Sequence, residues 1–345
     1  MKSTINPDTI FEIKTPDNFR KAALSVFSYQ ATQNLVYKQY INILNIDIDT
    51  VTGIDQIPFL PIAFFKTQKI ITESVNPIEE RNKGRNILNN EVLFSSSGTT
   101  GSTQSKHYVK NVSIYERSYQ KAFQLFYGDI EDYCILALLP SYLERKGSSL
   151  IYMVNDLIKK SKHPQSGFYL NNHTDLISTL KQLETKKQKT ILIGVSYALL
   201  DLAELMVNEP FKLKTTIVME TGGMKGKRQE LVKEELHSIL CTAFGVDVIH
   251  SEYGMTELLS QAYSKGNGVF NCPPWMKILI RDVNDPLSFL STGKTGGINI
   301  IDLANINSCS FIATQDLGKV HMDNSFEVMG RFTDSDIRGC NLLVE

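Results

Sequence analysis

The 345-residue chain has only five cysteines, and they are poorly placed for either task that paired cysteines perform. Cys134, Cys241, Cys272, Cys309 and Cys340 are odd in number, far apart and without a histidine at metal-ligand spacing. That pattern argues against a disulfide framework and against a zinc site, and for reduced thiols. Four fall in or near apolar stretches, where a free cysteine serves as a small hydrophobe; Cys340 instead sits in the terminal "DIRGCNLLVE". An excess of charge is also missing, since 36 basic residues face 37 acidic ones for a net charge of -1. With no basic stripe interleaved with aromatics, nucleic acid is a poor candidate partner. No stretch approaches the length of a membrane span, and "MKSTINPDTIFEIKTPD" lacks the apolar core of a signal peptide, so the expected location is the cytoplasm. Repeats, low-complexity segments and a linker marking a domain boundary are absent too.

What is present is a well-patterned globular sequence. A helix is predicted from "TPDNF", with Thr15 as N-cap, Pro16 in the first turn and Asp17 favourable to the dipole. Phe19, Ala22, Ala23, Val26, Phe27 and Ala31 follow at helical spacing and form its buried face. "IPFLPIAFFKTQ" (57–68) carries two prolines and is predicted to be extended. Its apolar residues, like those of "GVSYALLDL" (194–202), suit a pocket wall and plain core equally well. Short β-branched runs then alternate with helical patterns: "YCILALLP" from 133, "TILIGV" from 190, "TTIVME" from 215 and "VDVIH" from 246. The alternation predicts an α/β architecture with much parallel sheet. Val232, Leu236, Ile239, Leu240 and Ala243 form a helical stripe that Gly245 is placed to end. From about 296, "GGINIIDL", "CSFIATQDLG" and "FEVMGRF" read as a more antiparallel section.

One stretch packs nothing. "FSSSGTTGSTQSKH" (94–107) is either a flexible loop or an anion cradle, in which glycines admit a phosphate to backbone N–H groups and hydroxyls add donors. Three further stretches fall at strand ends or turns, where ligands of α/β folds gather: "ETGGMKGKRQEL" (220–231), "SEYGMTELLSQ" (251–261) and "IATQDLGKV" (312–320). A fourth, "GRFTDSDIRG" (330–339), closes the series. Taken singly, Gly222-Gly223 reads as a turn, Tyr253 as a half-buried aromatic, Glu257 as a first-turn carboxylate and Asp316-Leu317-Gly318 as a β-turn.

In this order, SSGTTG, TGG, YGMTE, QDLG and GR-x-x-D resemble the adenylate-forming superfamily: acyl-CoA synthetases, peptide-synthetase adenylation domains and luciferase-type ligases. Within it the chain looks like the acyl-protein synthetases of the LuxE type, which share an "IPxLPxxxFK"-like segment (here "IPFLPIAFFK", 57–66), an "SGTTG" loop followed by a basic residue and His, "YGMTEL" (253–258), and an acylated cysteine near the carboxyl terminus, matched here only by Cys340. The resemblance implies the superfamily's large-domain fold, with layered mixed β-sheets flanked by helices and a smaller antiparallel section. It divides the chain into an N-terminal helical and extended region (1–89), a nucleotide-binding core (90–330) and a hinge-like tail carrying Cys340 (331–345). The small C-terminal lobe that typical members carry is expected to be absent or vestigial.

The resemblance also assigns roles. Ser95, Ser96, Ser97, Gly98, Thr99, Thr100 and Gly101 would hold the β- and γ-phosphates of ATP. Gly222 and Gly223 would lie flat against adenine, with Tyr253, of the Tyr253-Gly254-Met255 turn, on its other face. Thr256 would donate to the α-phosphate and Glu257 would bind Mg²⁺. Asp316 would accept the ribose hydroxyls, with Arg331 on the ribose and phosphate side. The superfamily loop continues with Pro-Lys-Gly where this chain has "STQSKH", so Lys106 and His107 stand in the catalytic region without standard roles. The implied activity is ATP-dependent conversion of a carboxylic acid, of the fatty-acid class, to an acyl-adenylate, then transfer to the Cys340 thiol and on to a partner such as an acyl reductase. The rivals are a ligase passing the acyl group directly to coenzyme A or a carrier protein, and a degenerate nucleotide-binding subunit.

Overall fold

In a computed structural model the chain is described over residues 7–73, 91–97, 103–139, 147–170, 172–206, 211–224, 227–229 and 231–332. It forms two units. One comprises residues 1–119, 256–260 and 272–345, the other 120–255 and 261–271. The chain therefore crosses between units at 119/120, 255/256, 260/261 and 271/272, which is why no linker marks a boundary in the sequence.

Among the described residues the strands are β1 (Leu60–Pro61), β2 (Val92–Ser95), β3 (Lys106–Val109), β4 (Cys134–Leu138), β5 (Gly167–Phe168), β6 (Thr190–Val195) and β7 (Thr216–Thr221). They continue with β8 (His250–Tyr253), β9 (Ala262–Ser264), β10 (Val269–Asn271), β11 (Met276–Arg281), β12 (Gly296–Asp302), β13 (Phe311–Val320) and β14 (Phe326–Arg331).

The unit built on residues 120–255 and 261–271 has the predicted parallel sheet, in the order β5–β4–β6–β7–β8, with β9 and β10 added antiparallel. Every residue of β4 and β6 is buried, as the continuous apolar runs require of strands covered on both faces. Helices Ser149–Ser161, Ser196–Met206 and Lys233–Phe244 follow β4, β6 and β7 in the expected alternation. Two details differ from the sequence reading. Val232 is the N-cap of the last helix and is 66% exposed, and Ile239 is 41% exposed, so the buried face is Leu236, Leu240, Ala243 and Phe244. The "VDVIH" strand begins only at His250. The N–H groups of Gly245 and Val246 both bond back to the Cys241 carbonyl, so the first β-branched residues are consumed in leaving the helix.

In the other unit the first helix is Pro16–Gln33, and Thr15 caps it by accepting from the Asn18 N–H at 3.2 Å. Phe19, Ala23, Val26, Phe27 and Ala31 are buried as predicted. Gln30 on the same face is buried because its amide donates to the carbonyls of Asn305 (3.1 Å) and Ile306 (2.9 Å) and accepts from Ser310 N–H (2.9 Å). The "IPFLPIAFFKTQ" segment is extended only as far as Pro61, where β1 runs parallel to β13. It then turns into a short helix, Phe64–Thr67, that buries Phe65. β11–β12–β13–β14 form the expected antiparallel section. Asp316 lies within β13, so Asp316-Leu317-Gly318 is not a β-turn: the strand runs through all three and irregularities in register absorb the bend. No helix among the described residues is long and apolar enough to cross a membrane.

One buried carboxylate fixes the segment that enters this unit at residue 256. Asp302 accepts from the N–H groups of Leu259 (2.7 Å), Ser260 (3.0 Å) and Ala304 (3.1 Å) and from the Ser260 hydroxyl (2.6 Å). Burial raises its pKa to about 6 despite these donors. Asp302→Ala would leave buried donors unpaired at about 1–3 kcal/mol each, partly relieved by relaxation. We expect a loss of about 3 kcal/mol or more in urea unfolding; a change below about 1 kcal/mol would show that this carboxylate does not hold the segment.

Candidate functional site

The loop singled out in the sequence joins β2 to β3, with Ser95 opposite Lys106 and Phe94 opposite His107. Its base is closed by Ser96, whose N–H donates to the Ser105 carbonyl (3.1 Å) and whose Oγ accepts from the Ser105 N–H (2.9 Å). Ser95 and Ser96 are half-buried and Ser97 is exposed; Gly98, Thr99, Thr100 and Gly101 lie outside the described residues, as does Cys340. Strand alternation separates the two basic residues read together from the sequence: Lys106 is exposed and His107 is buried.

His107 is an anchor rather than a reactive base. Its Nδ1 lies 2.8 Å from the Thr256 carbonyl oxygen and its Nε2 lies 3.0 Å from Asn305 Oδ1, while the ring packs edge-on against Phe65. Two acceptors favour a proton on each nitrogen, but burial is the larger effect and lowers the pKa to about 4. Asn305 Nδ2 donates to the Glu257 carbonyl at 2.7 Å. The backbone of Thr256-Glu257 is thus gripped at successive carbonyls. No helix follows, so Glu257 is not a first-turn carboxylate. Its side chain is 5% exposed and hydrogen-bonds the Ser105 hydroxyl. Burial raises its pKa; the Asp316 charge adds to this, and the Ser105 hydrogen bond and the Arg331 charge oppose it. Asp316 and Arg331 face each other across β13 and β14, with Arg331 Nε donating to Asp316 Oδ1 at 3.1 Å. This unit therefore gathers Ser105, His107, Thr256, Glu257, Asp316 and Arg331.

The other unit carries the remaining candidates at the ends of β7 and β8. Gly222 and Gly223 are exposed, and Gly222 has φ +65°, a left-handed conformation that a side chain disfavours. The Gly222 carbonyl accepts from the Ser196 hydroxyl at 2.6 Å. Tyr253 is half-buried, with its ring 5.9 Å from that of Phe270, and Gly254 is exposed. Two carboxylates lie beneath these turns. Burial pushes Glu220 up, but His237 at 3.6 Å and Lys233 at 3.0 Å bring its pKa down to about 2. Burial pushes Glu252 up to about 7, opposed by the Thr221 hydroxyl that donates to it and aided by the negative charge of Glu220.

Sequence reasoning missed Ser105, Asn305, Ser196, Glu220 and Glu252. Four of these stand inside or beside stretches it quoted, whereas Asn305 carries no local signal at all.

Glu252 gives a pH test. The folded chain keeps its proton to about pH 7, whereas an ordinary glutamate releases it near 4.5. Its contribution to stability is therefore full below about 4.5 and lost as pH rises through 7. Glu252→Gln, which mimics the protonated form, should gain stability over the parent by on the order of 3 kcal/mol between pH 5 and pH 8. Parallel pH profiles in urea unfolding would rule out a retained proton.

The sequence matches the model of the family described as "Acyl-protein synthetase, LuxE" over residues 11–345. A search of curated proteins gave no match. Among solved structures, ATP-bound MatB from Rhodopseudomonas palustris is similar at 14% identity and a TM-score of 0.52, over 69% of this chain and 47% of that one. The chain thus spans about half the length of MatB. A 2-hydroxyisobutyryl-CoA ligase, solved with 2-HIB-AMP and CoA, is similar at 12% identity and a TM-score of 0.63, over 97% of this chain and 74% of that one. These likenesses show the fold, that of the adenylate-forming ligases. Because the family match runs over residues 11–345, nearly the length of the chain, the chain belongs to the acyl-protein synthetase (LuxE) family.

Proposed function

We propose that the chain joins a carboxylic acid, of the fatty-acid class, to a thiol by way of an acyl-adenylate. A carboxylate oxygen attacks the α-phosphorus of ATP, the bond to the β-phosphate breaks, and pyrophosphate leaves. A thiolate then attacks the acyl carbonyl, forming the thioester and releasing AMP. The observation that carries this reading is the clustering, in one unit, of a hydroxyl at the base of the glycine-rich loop, a buried carboxylate and an acid–arginine pair: Ser105, Glu257 and Asp316–Arg331. The solved CoA ligase with this fold was crystallised with 2-HIB-AMP and CoA, and MatB with ATP, which supports the same order of events.

Residue by residue, Ser95–Gly101 hold the β- and γ-phosphates, the exposed Gly222-Gly223 backbone and the Tyr253 ring take the adenine, and Asp316 takes the ribose, with Arg331 beside it. Thr256 donates to the α-phosphate from a turn that His107 and Asn305 hold still. Glu257 suits Mg²⁺, since a buried carboxylate whose pKa burial has raised is stabilised by a cation. No group of three or more His, Cys, Asp or Glu among the described residues is arranged to hold a metal. A single carboxylate supplemented by substrate phosphates is the usual mode for Mg²⁺, which when bound neutralises phosphate charge. The acceptor thiol is Cys340, and the final acceptor is a partner protein of the acyl-reductase kind.

Glu257→Gln should abolish ATP–pyrophosphate exchange, by about 100-fold or more, while leaving the urea midpoint no lower than the parent's, since the neutral amide removes a carboxylate that burial disfavours. Exchange at the parental rate in saturating Mg²⁺ would remove Glu257 from the metal role.

Incubation with ATP, Mg²⁺ and a labelled fatty acid should leave a hydroxylamine-labile acyl group on Cys340. Cys340→Ser should still exchange pyrophosphate but carry no thioester. A parent that adenylates the acid yet remains unlabelled would favour direct transfer to an external thiol.

A further inference from the structure

The strand that carries Asp316 is irregular, and a buried arginine fills the irregularity. β12 and β13 pair at Gly296↔Gly318 and Gly297↔Leu317, and again at Asn299↔Ala313. Between these points only Ile298 stands opposite Thr314, Gln315 and Asp316. A bulge of this kind takes carbonyls out of the ladder, and buried carbonyls need donors. Arg281, at the end of β11 and 6% exposed, supplies them. Its Nη1 donates to the Ile298 carbonyl (2.9 Å) and to Asn299 Oδ1 (2.8 Å), and its Nη2 donates to the Thr314 carbonyl (2.5 Å). Thr314 completes the knot: its hydroxyl donates to the Ile298 carbonyl (2.9 Å) and accepts from the Asp316 N–H (3.1 Å).

The surroundings are shaped for the guanidinium. A Cβ on Gly297 would stand 2.5 Å from Arg281 Cζ and 2.8 Å from Nε and Nη1, so only glycine leaves room for it. The ring of Phe332, the residue after Arg331, lies 5.4 Å from Cζ, and the Phe332 N–H donates to the Gln315 carbonyl at 2.9 Å. Asp316 and Arg331 then face each other just before a second irregularity, between Leu317 and Gly318. Burying a charged side chain among carbonyls is costly, and burial lowers the Arg281 pKa to about 10, with the Asp316 charge opposing that fall. An apolar strand end would serve a plain sheet better.

We propose that Arg281 is a positioning residue for ribose recognition: by bracing the β13 bulge against β12 it fixes the Asp316 carboxylate opposite Arg331, where it can accept from ribose hydroxyls. This rests on the ATP reading above. Gly297 belongs to the same device, as the space into which the guanidinium fits.

The test compares ATP with 3′-deoxy-ATP by calorimetry, using the intact chain with Mg²⁺. The parent should bind ATP about tenfold or more tightly than 3′-deoxy-ATP, the ratio expected when one hydrogen bond to a charged group is lost. Arg281→Lys keeps the charge but cannot span three acceptors, and it should bring the ratio to within about twofold by weakening ATP alone. Gly297→Ala keeps the arginine but occupies its space, and it should do the same. A variant that folds, as judged by its urea midpoint, and keeps the parental ratio would overturn the role of Arg281 while leaving ATP binding intact. A parent that binds both nucleotides equally would overturn this inference together with the ribose role of Asp316. A parent that binds neither would overturn the ATP reading itself.

Discussion

Residues 256–260 enter one unit without forming helix or strand, and Glu257, Leu258, Leu259 and Ser260 are all buried there. A buried backbone outside regular structure must find a partner for each polar group or lose a good part of the protein's margin of stability. The partners here are side chains: His107 at the Thr256 carbonyl, Asn305 at that of Glu257, and Asp302 at the N–H groups of Leu259 and Ser260. The position of the Thr256 hydroxyl and the Glu257 carboxylate follows from that satisfaction. Four peptide groups of this irregular segment, two carbonyls and two N–H groups, are thus individually tied by side chains.

The same economy appears in the carboxylates. Glu220 and Glu252 are both buried in one unit, yet they end far apart in acidity because His237 and the Lys233 cation face Glu220 while a hydroxyl faces Glu252. Glu257 and Asp316 in the other unit also meet different neighbours: a hydroxyl side chain for one, an arginine for the other. Acids of like type are thus set apart by the side chains beside them.

Much of the fold was legible where its cause is local. Thr15 caps its own helix within three residues, and the apolar runs of β4 and β6 announce strands buried on both faces. The strand-end motifs were legible too, because each is a short contiguous phrase. What was not legible is held by distant partners. Asn305 reaches Glu257 across 48 residues of sequence, and the triad of acceptors around Arg281 comes from two other strands. Asp316-Leu317-Gly318 misled for a related reason: its composition signals a turn, and only the neighbouring strands turn that tendency into a bulge. Val246–Ile249 misled because the helix before them ends by folding its own N–H groups backward.

The division of the chain has a consequence for its synthesis. Gln30, on the first long helix, finds its partners 275 to 280 residues later, at Asn305, Ile306 and Ser310. The intervening 120–255 stretch can complete its parallel sheet as soon as it leaves the ribosome, because β4 to β8 are close in sequence. On the amino-terminal helix Phe27 meets the Tyr37 ring early, but the Phe311 ring that packs against it comes only in the last third of the chain. For these contacts the order of emergence opposes the order of assembly.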